Sequence, residues 1–169
     1  MDPNSNTTLT ETAITTPPKD IYTKSKTFLY IAVPIFVIIE CALLVYLNAS
    51  IDQVLIVLCV LTQGALLYGL YNKLSVVIQV AHVIFALFMF LFIPFLGASH
   101  VVLCFHVMAC LLTLAVRADY GGCPISKSEG DASKIYRSVS QLRINYNVLF
   151  FVCGCVSLIR VCCTTSKLF

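Results

Sequence analysis

An all-α bundle that crosses a membrane four times, with a fifth span after a longer loop, is the fold class this sequence predicts. Three observations carry that reading. Residues are 59% hydrophobic and 11% charged, against about 25% charged in a soluble domain. A chain of 169 residues makes one domain, too small to hide that much Leu, Val, Ile and Phe in its own interior. The positive charges are also one-sided. All of the 11 Lys and Arg residues except Arg160 and Lys167 fall where four crossings place a single side of the membrane. The positive-inside rule makes that side cytosolic and puts the N-terminus there.

Residues 1–26, rich in Thr with Asn, Ser and Pro17-Pro18, read as a disordered cytosolic tail. Its Asn6-Thr7-Thr8 matches a glycosylation sequon but falls on the wrong side of the membrane. The four-span region is 27–117. Span one runs from Phe28 to about Leu47, near the ~20 residues that cross a hydrocarbon core, with Pro34 inside it. It is too long for the h-region of a cleavable signal and is expected to stay as an anchor. The stretch Asn48 to Asp52 is the first outer turn. Span two covers about Gln53 to Tyr71, and Asn72-Lys73 is a tight inner turn. Span three covers about Leu74 to Leu96, with Pro94 near its outer end. Gly97 to His100 is the second outer turn. Span four runs from Val101 to Val116 and is closed by Arg117. Tyr30, Tyr46, Tyr68, Tyr71, Tyr120 and Tyr146 lie near span ends, as interface-seeking aromatics do.

Residues 118–145 form a cytosolic loop. Tyr120-Gly121-Gly122-Cys123-Pro124 is a turn signal, and Ser126-Lys127-Ser128-Glu129 has the pattern of a capping box. Ile135, Val139 and Leu142 recur at i, i+4 and i+7, which predicts a short amphipathic helix on the inner leaflet or the end of the bundle. Residues 146–169 hold a fifth span, Tyr146 to Thr165, and a C-terminal tail. Arg160 near the far end can snorkel to the interface. The alternative is a hairpin lying in the inner leaflet, with Cys162 and Cys163 as acylation candidates.

Nine cysteines do not make a disulfide scaffold here. Cys41, Cys59, Cys104 and Cys110 lie in apolar runs, where a thiol behaves as a small hydrophobe, and Cys123 is in a cytosolic loop. No CxxC pair exists to support a zinc site, and no metal or other cofactor is expected. Cys123 reads as a turn residue, with a reactive thiol as the sharper alternative.

Glu40 is the first candidate for function. An ionised carboxylate within a span costs several kcal/mol, so Glu40 is expected to be protonated, paired or facing water. It lies roughly 10 Å below the outer end of its span, and His106 reaches nearly that depth from the other direction. A Glu40–His106 hydrogen bond is therefore expected. Gln63 and His82 lie deeper, with Gln79 one turn from His82. Together these groups admit two readings: helix-to-helix polar contacts, or a path for protons or small cations. Bis-histidine haem ligation by His82 and His106 is disfavoured, because their depths differ by roughly 9 Å. Ala65-xxx-Gly69 is a small-xxx-small pattern that permits close helix approach.

The stretch Cys123-Pro124-Ile125-Ser126-Lys127-Ser128-Glu129 resembles a Cys-Pro-Leu-Thr-x-x-Glu signature of small, uncharacterised multi-span membrane proteins, in which it precedes the final span. Ile stands for Leu and Ser for Thr, and Gly130 interrupts the Arg-bearing helix that follows the Glu in that family. The resemblance implies the membrane fold and no activity.

No nucleophile–base set, phosphate loop or carboxylate pair is readable, so catalysis is not expected. The leading expectation is a non-enzymatic structural or assembly component of a membrane, with the lipid bilayer and protein partners or a second copy as its contacts and no nucleic acid. The alternative is a small transporter or channel for protons or small cations that uses Glu40, His82 and His106.

Overall fold

The structure, a computed structural model, describes residues 19–129 and 145–165. These form helices and no strand: α1 (Lys19–Tyr46), α2 (Ser50–Asn72), α3 (Ser75–Leu96), α4 (His100–Tyr120), a short α5 (Pro124–Glu129) and α6 (Tyr146–Thr165). Five of them are long and apolar enough to cross a membrane. Their outer surfaces carry Ile31, Ile38, Val45, Leu61, Met108 and Phe151, all more than half exposed. Water would penalise that surface and hydrocarbon does not. The chain is a multi-pass membrane protein.

Several boundaries differ from the sequence reading. The tail expected to be disordered up to residue 26 is helical from Lys19, because adding residues to a helix that has already formed costs little beside nucleating one. The fourth span does not end at Arg117. It continues to Tyr120 and stops where Gly121 takes a left-handed φ of 62° and returns its amide to the Arg117 carbonyl, the usual glycine termination. The helix after Cys123 begins at Pro124, a residue suited to a first helical position. Ser126 is therefore inside α5 and does not cap it. The amphipathic helix expected around Ile135, Val139 and Leu142, like the tail before Lys19, lies outside the described residues.

The two ends of the bundle are distinct. One is the basic end, where Lys73 and Arg117 lie. There Lys73 closes α2 with φ 57°, and the Leu74 amide donates to the Gly69 carbonyl at 2.9 Å. Gly69 lets α2 and α3 leave this turn closely packed, since a Cβ on it would stand 2.9 Å from Ile78 Cγ1. Ala65, the other half of the small-xxx-small pattern, is exposed and takes no part in the approach. At the same end α5 folds into the mouth of the bundle. Its Ile125 joins Leu29, Val33, Leu66, Leu70, Ile78 and Ala81 in one buried cluster.

α3 is not a uniform α-helix. Phe88–Phe92 form a π-turn, and Pro94 follows in the next turn. Proline has no amide hydrogen to return to the preceding turn, and π-turns arise where the ladder must absorb such a break. α6 runs without interruption from the basic end, where Arg117 Nε donates to Asn147 Oδ1 at 2.8 Å. It reaches the opposite end, where Arg160 donates from Nη1 to the Pro94 carbonyl and from Nη2 to the Gly97 carbonyl at 2.7 and 2.8 Å. A hairpin would need a reversal within residues 146–165, and none is present.

Candidate functional site

A cavity of about 130 Å³ lies between α1 and α4, with side chains of α2, α3 and α5 completing its wall. Glu40, Gln63 and His106 line its deeper part, and Cys123, Pro124 and Ile125 line it at the basic end. Most of the remaining wall is Phe, Leu, Val, Ile and Ala.

Glu40 projects from α1 and is 3% exposed. Its Oε1 accepts a hydrogen bond from Gln63 Nε2 on α2 at 2.7 Å. Two oxygens of this pair, Glu40 Oε2 and Gln63 Oε1, are buried without a hydrogen-bond partner. The pair thus joins α1 to α2 and still leaves bonding capacity beside the cavity.

The expected Glu40–His106 bond is not formed. His106, fully buried on α4, has both ring nitrogens engaged elsewhere. Nε2 meets the Met89 carbonyl at 2.8 Å, and Nδ1 meets Ser157 Oγ of α6 at 2.8 Å. A carbonyl oxygen only accepts, so Nε2 carries a hydrogen, and in the neutral ring Nδ1 accepts from the serine hydroxyl. The Met89 carbonyl is available because Ile93 donates its amide to Phe88 and Pro94 has none to give. The Phe90 carbonyl, four residues before Pro94, receives the Cys153 thiol of α6 at 3.6 Å. A single imidazole therefore ties α3, α4 and α6 together, and the proline in α3 created the acceptor.

His82 does not join Glu40 and His106 in a relay. Its Nε2 lies 3.4 Å from the Cys123 sulfur. Gln79, one turn away, donates to Ser75 Oγ of its own helix at 2.9 Å. The two histidines of the haem reading thus serve different partners, and among the described residues no group of three or more His, Cys, Asp or Glu is placed to hold a metal ion.

Cys123 is half-buried at the turn before α5. Burial pushes its thiol pKa up, but the charge and hydrogen bond of His82, with the amides of Ser126 and Ile125, outweigh that and bring it down to about 7. Thiolate character at neutral pH is what distinguishes a reactive cysteine from an inert one. Of the other loop-motif residues, Pro124 is buried. Ser126 Oγ is buried without a partner, and Ser128 Oγ donates to the Ile125 carbonyl at 2.7 Å. Glu129 ends the helix, and its side chain lies outside the described residues. Cys162 and Cys163 are exposed in the last turns of α6, and none of the nine cysteines is in a disulfide.

Asp52, which the sequence places in the first outer turn without marking a role for it, has one in the structure. It is fully buried in the first turn of α2. Its Oδ1 accepts from the Ala98 amide at 2.8 Å, and its Oδ2 accepts from the Ser99 amide at 2.7 Å. Asp52 from one side and Arg160 from the other therefore hold the α3–α4 turn, a carboxylate on its amides and a guanidinium on its carbonyls. Ser157 and Cys153 likewise carry no site signature in the sequence. The only available signal was a polar atom repeated on one face of an apolar helix, at 153 and 157, one helical turn apart.

These constellations define a class, a five-helix membrane bundle braced by buried interhelical polar contacts. No family model matches the chain, and no curated protein or solved structure matches it.

Proposed function

We propose that this protein is a non-enzymatic structural or assembly component of a membrane, oriented with its basic end and N-terminus in the cytosol. The observation that carries the reading is how its intramembrane polar groups are used. Glu40 with Gln63, His106 with Met89 and Ser157, and Arg160 with the α3–α4 turn each join one helix to another. Contacts of this kind fix the relative placement of helices. The exposed Ile, Leu, Val and Phe faces suit lipid or the apolar helices of partners. Nine of eleven basic residues on one side support the orientation.

The test is purification of the full chain in mild detergent followed by mass spectrometry of what accompanies it. A stoichiometric membrane partner, or a defined homo-oligomer, is the expected result. One observation favours the second reading, transport of protons or small cations: the unpaired Glu40 and Gln63 oxygens beside the cavity. Proteoliposome proton flux that disappears in Glu40→Gln would replace the assembly role with that one.

A further inference from the structure

Cys123 belongs both to the cysteine–histidine pair and to the wall of the cavity, and neither feature is accounted for by a purely structural role. Cys123, with His82 Nε2 3.4 Å from its sulfur, lines the end of an apolar slot whose wall also includes Leu29, Ala32 and Glu40 of α1. The distance along α1 from Leu29 to Glu40 is about 17 Å at 1.5 Å per residue. About 130 Å³ drawn out over that length is a narrow channel rather than a rounded chamber. It suits a chain of methylene groups better than a ring system. The Glu40–Gln63 pair gives the far end a polar floor.

We propose that Cys123 is a self-acylation site: its thiol takes a long-chain acyl group from an acyl-CoA thioester, and the slot houses the chain. The Cys123 thiolate attacks the thioester carbonyl carbon and forms a new carbon–sulfur bond. The bond from that carbon to the CoA sulfur breaks, and the CoA thiolate leaves with the proton held on His82 Nε2. One thioester is exchanged for another, with no net oxidation or reduction. His82 serves the thiol by holding the proton and stabilising the thiolate, the arrangement that activates a cysteine nucleophile. The Phe, Leu, Val, Ile and Ala side chains of the slot give the chain an apolar wall to pack against. The site differs from Cys162 and Cys163, which are exposed in the last turns of α6.

The experiment uses the full chain purified in mild detergent, which leaves both ends accessible and makes the result independent of orientation. The protein is incubated with palmitoyl-CoA, and in parallel with acetyl-CoA. Adducts are located by peptide mass spectrometry and checked for release by hydroxylamine. One hydroxylamine-labile palmitoyl group on Cys123 is expected. Cys123→Ser removes it, and His82→Gln lowers its rate of formation about tenfold or more at pH 7, as loss of thiolate character requires. Ala32→Phe fills the slot and is expected to suppress palmitoyl transfer while leaving acetyl transfer to Cys123 intact. The acetyl reaction also reports that the variant is folded. Palmitoyl groups confined to Cys162 and Cys163, or equal labelling of Cys123→Ser and the native chain, would overturn the proposal. Equal losses of palmitoyl and acetyl transfer in Ala32→Phe would refute the slot as the chain's site.

Discussion

Nε2 of His106 donates to the Met89 carbonyl at 2.8 Å, and Pro94 is the reason that oxygen needs a donor from another helix. The π-turn at Phe88–Phe92 shifts the ladder so that position 94 would serve Met89, and a proline there cannot. The relationship is one of supply and demand between two helices, and it makes a prediction about coupling. His106→Leu removes the bonds to Met89 and Ser157 and is expected to cost about 1–3 kcal/mol, since a buried acceptor and a buried hydroxyl donor lose their partner. In a Pro94→Ala background residue 94 regains an amide, so the same His106→Leu change is expected to cost less. A double-mutant cycle of thermal unfolding in detergent measures this coupling. Strict additivity would mean that the proline and the histidine act independently.

The α3–α4 turn is held from two sides, and loosening either side should be visible at its amides. Asp52 accepts from Ala98 and Ser99, while Arg160 donates to Pro94 and Gly97. Asp52→Leu leaves two amides without their acceptor and is expected to cost at least about 2 kcal/mol, at about 1–3 kcal/mol for each orphaned group. Hydrogen exchange at Ala98 and Ser99 is expected to accelerate in that variant and, less strongly, in Arg160→Gln. Unchanged protection at both amides in Asp52→Leu would contradict the bracing role.

Gly69 and Ala65 separate a real close approach from a chance pattern. A methyl group at Gly69 would press on Ile78 at 2.9 Å and on the Ile78 backbone nitrogen at 3.2 Å, so α2 and α3 must part to admit it. Gly69→Ala is expected to destabilise by about 1–3 kcal/mol, the usual cost of overpacking. Ala65→Val, on an exposed face, is expected to change stability by less than about 0.5 kcal/mol. Thermal unfolding of the two variants side by side checks both.

How far the sequence could be read follows from which physics set each feature. Spans and their rough limits were legible because the bilayer imposes a length on apolar runs, and composition alone reveals such runs. Glu40, Gln63, His82 and His106 were legible as unusual, since each is a polar group in an apolar helix. Their partners were not. The sequence gives depth along a helix but not rotation about it, so Glu40 and His106 at similar depths looked like a pair. The structure directs Glu40 to Gln63 and turns His106 toward α3 and α6. The π-turn was hidden for a related reason. Pro94 announced a break in the ladder, but which carbonyls it would orphan depends on how the chain absorbs the break. The Cys123–His82 contact spans 41 positions in the chain. It depends on α5 folding back into the bundle mouth, which follows from Ile125 finding a buried cluster rather than from any local pattern.

That contact gives the most direct chemical prediction. The Cys123 thiol, brought down to about 7 chiefly by His82 against the opposing effect of burial, should react as a thiolate at neutral pH. Alkylation by iodoacetamide, followed at Cys123 by peptide mass spectrometry, is expected to rise with pH and reach half its limiting rate near pH 7. Below that value the rate should fall about tenfold per pH unit, because only the thiolate reacts. In His82→Gln the lowering influence of the ring is gone while burial remains, so the midpoint is expected to move upward. The reaction at pH 7 should slow accordingly. An unshifted midpoint in His82→Gln would mean that the ring lies beside the sulfur without activating it, and the acyl-transfer proposal would lose its base.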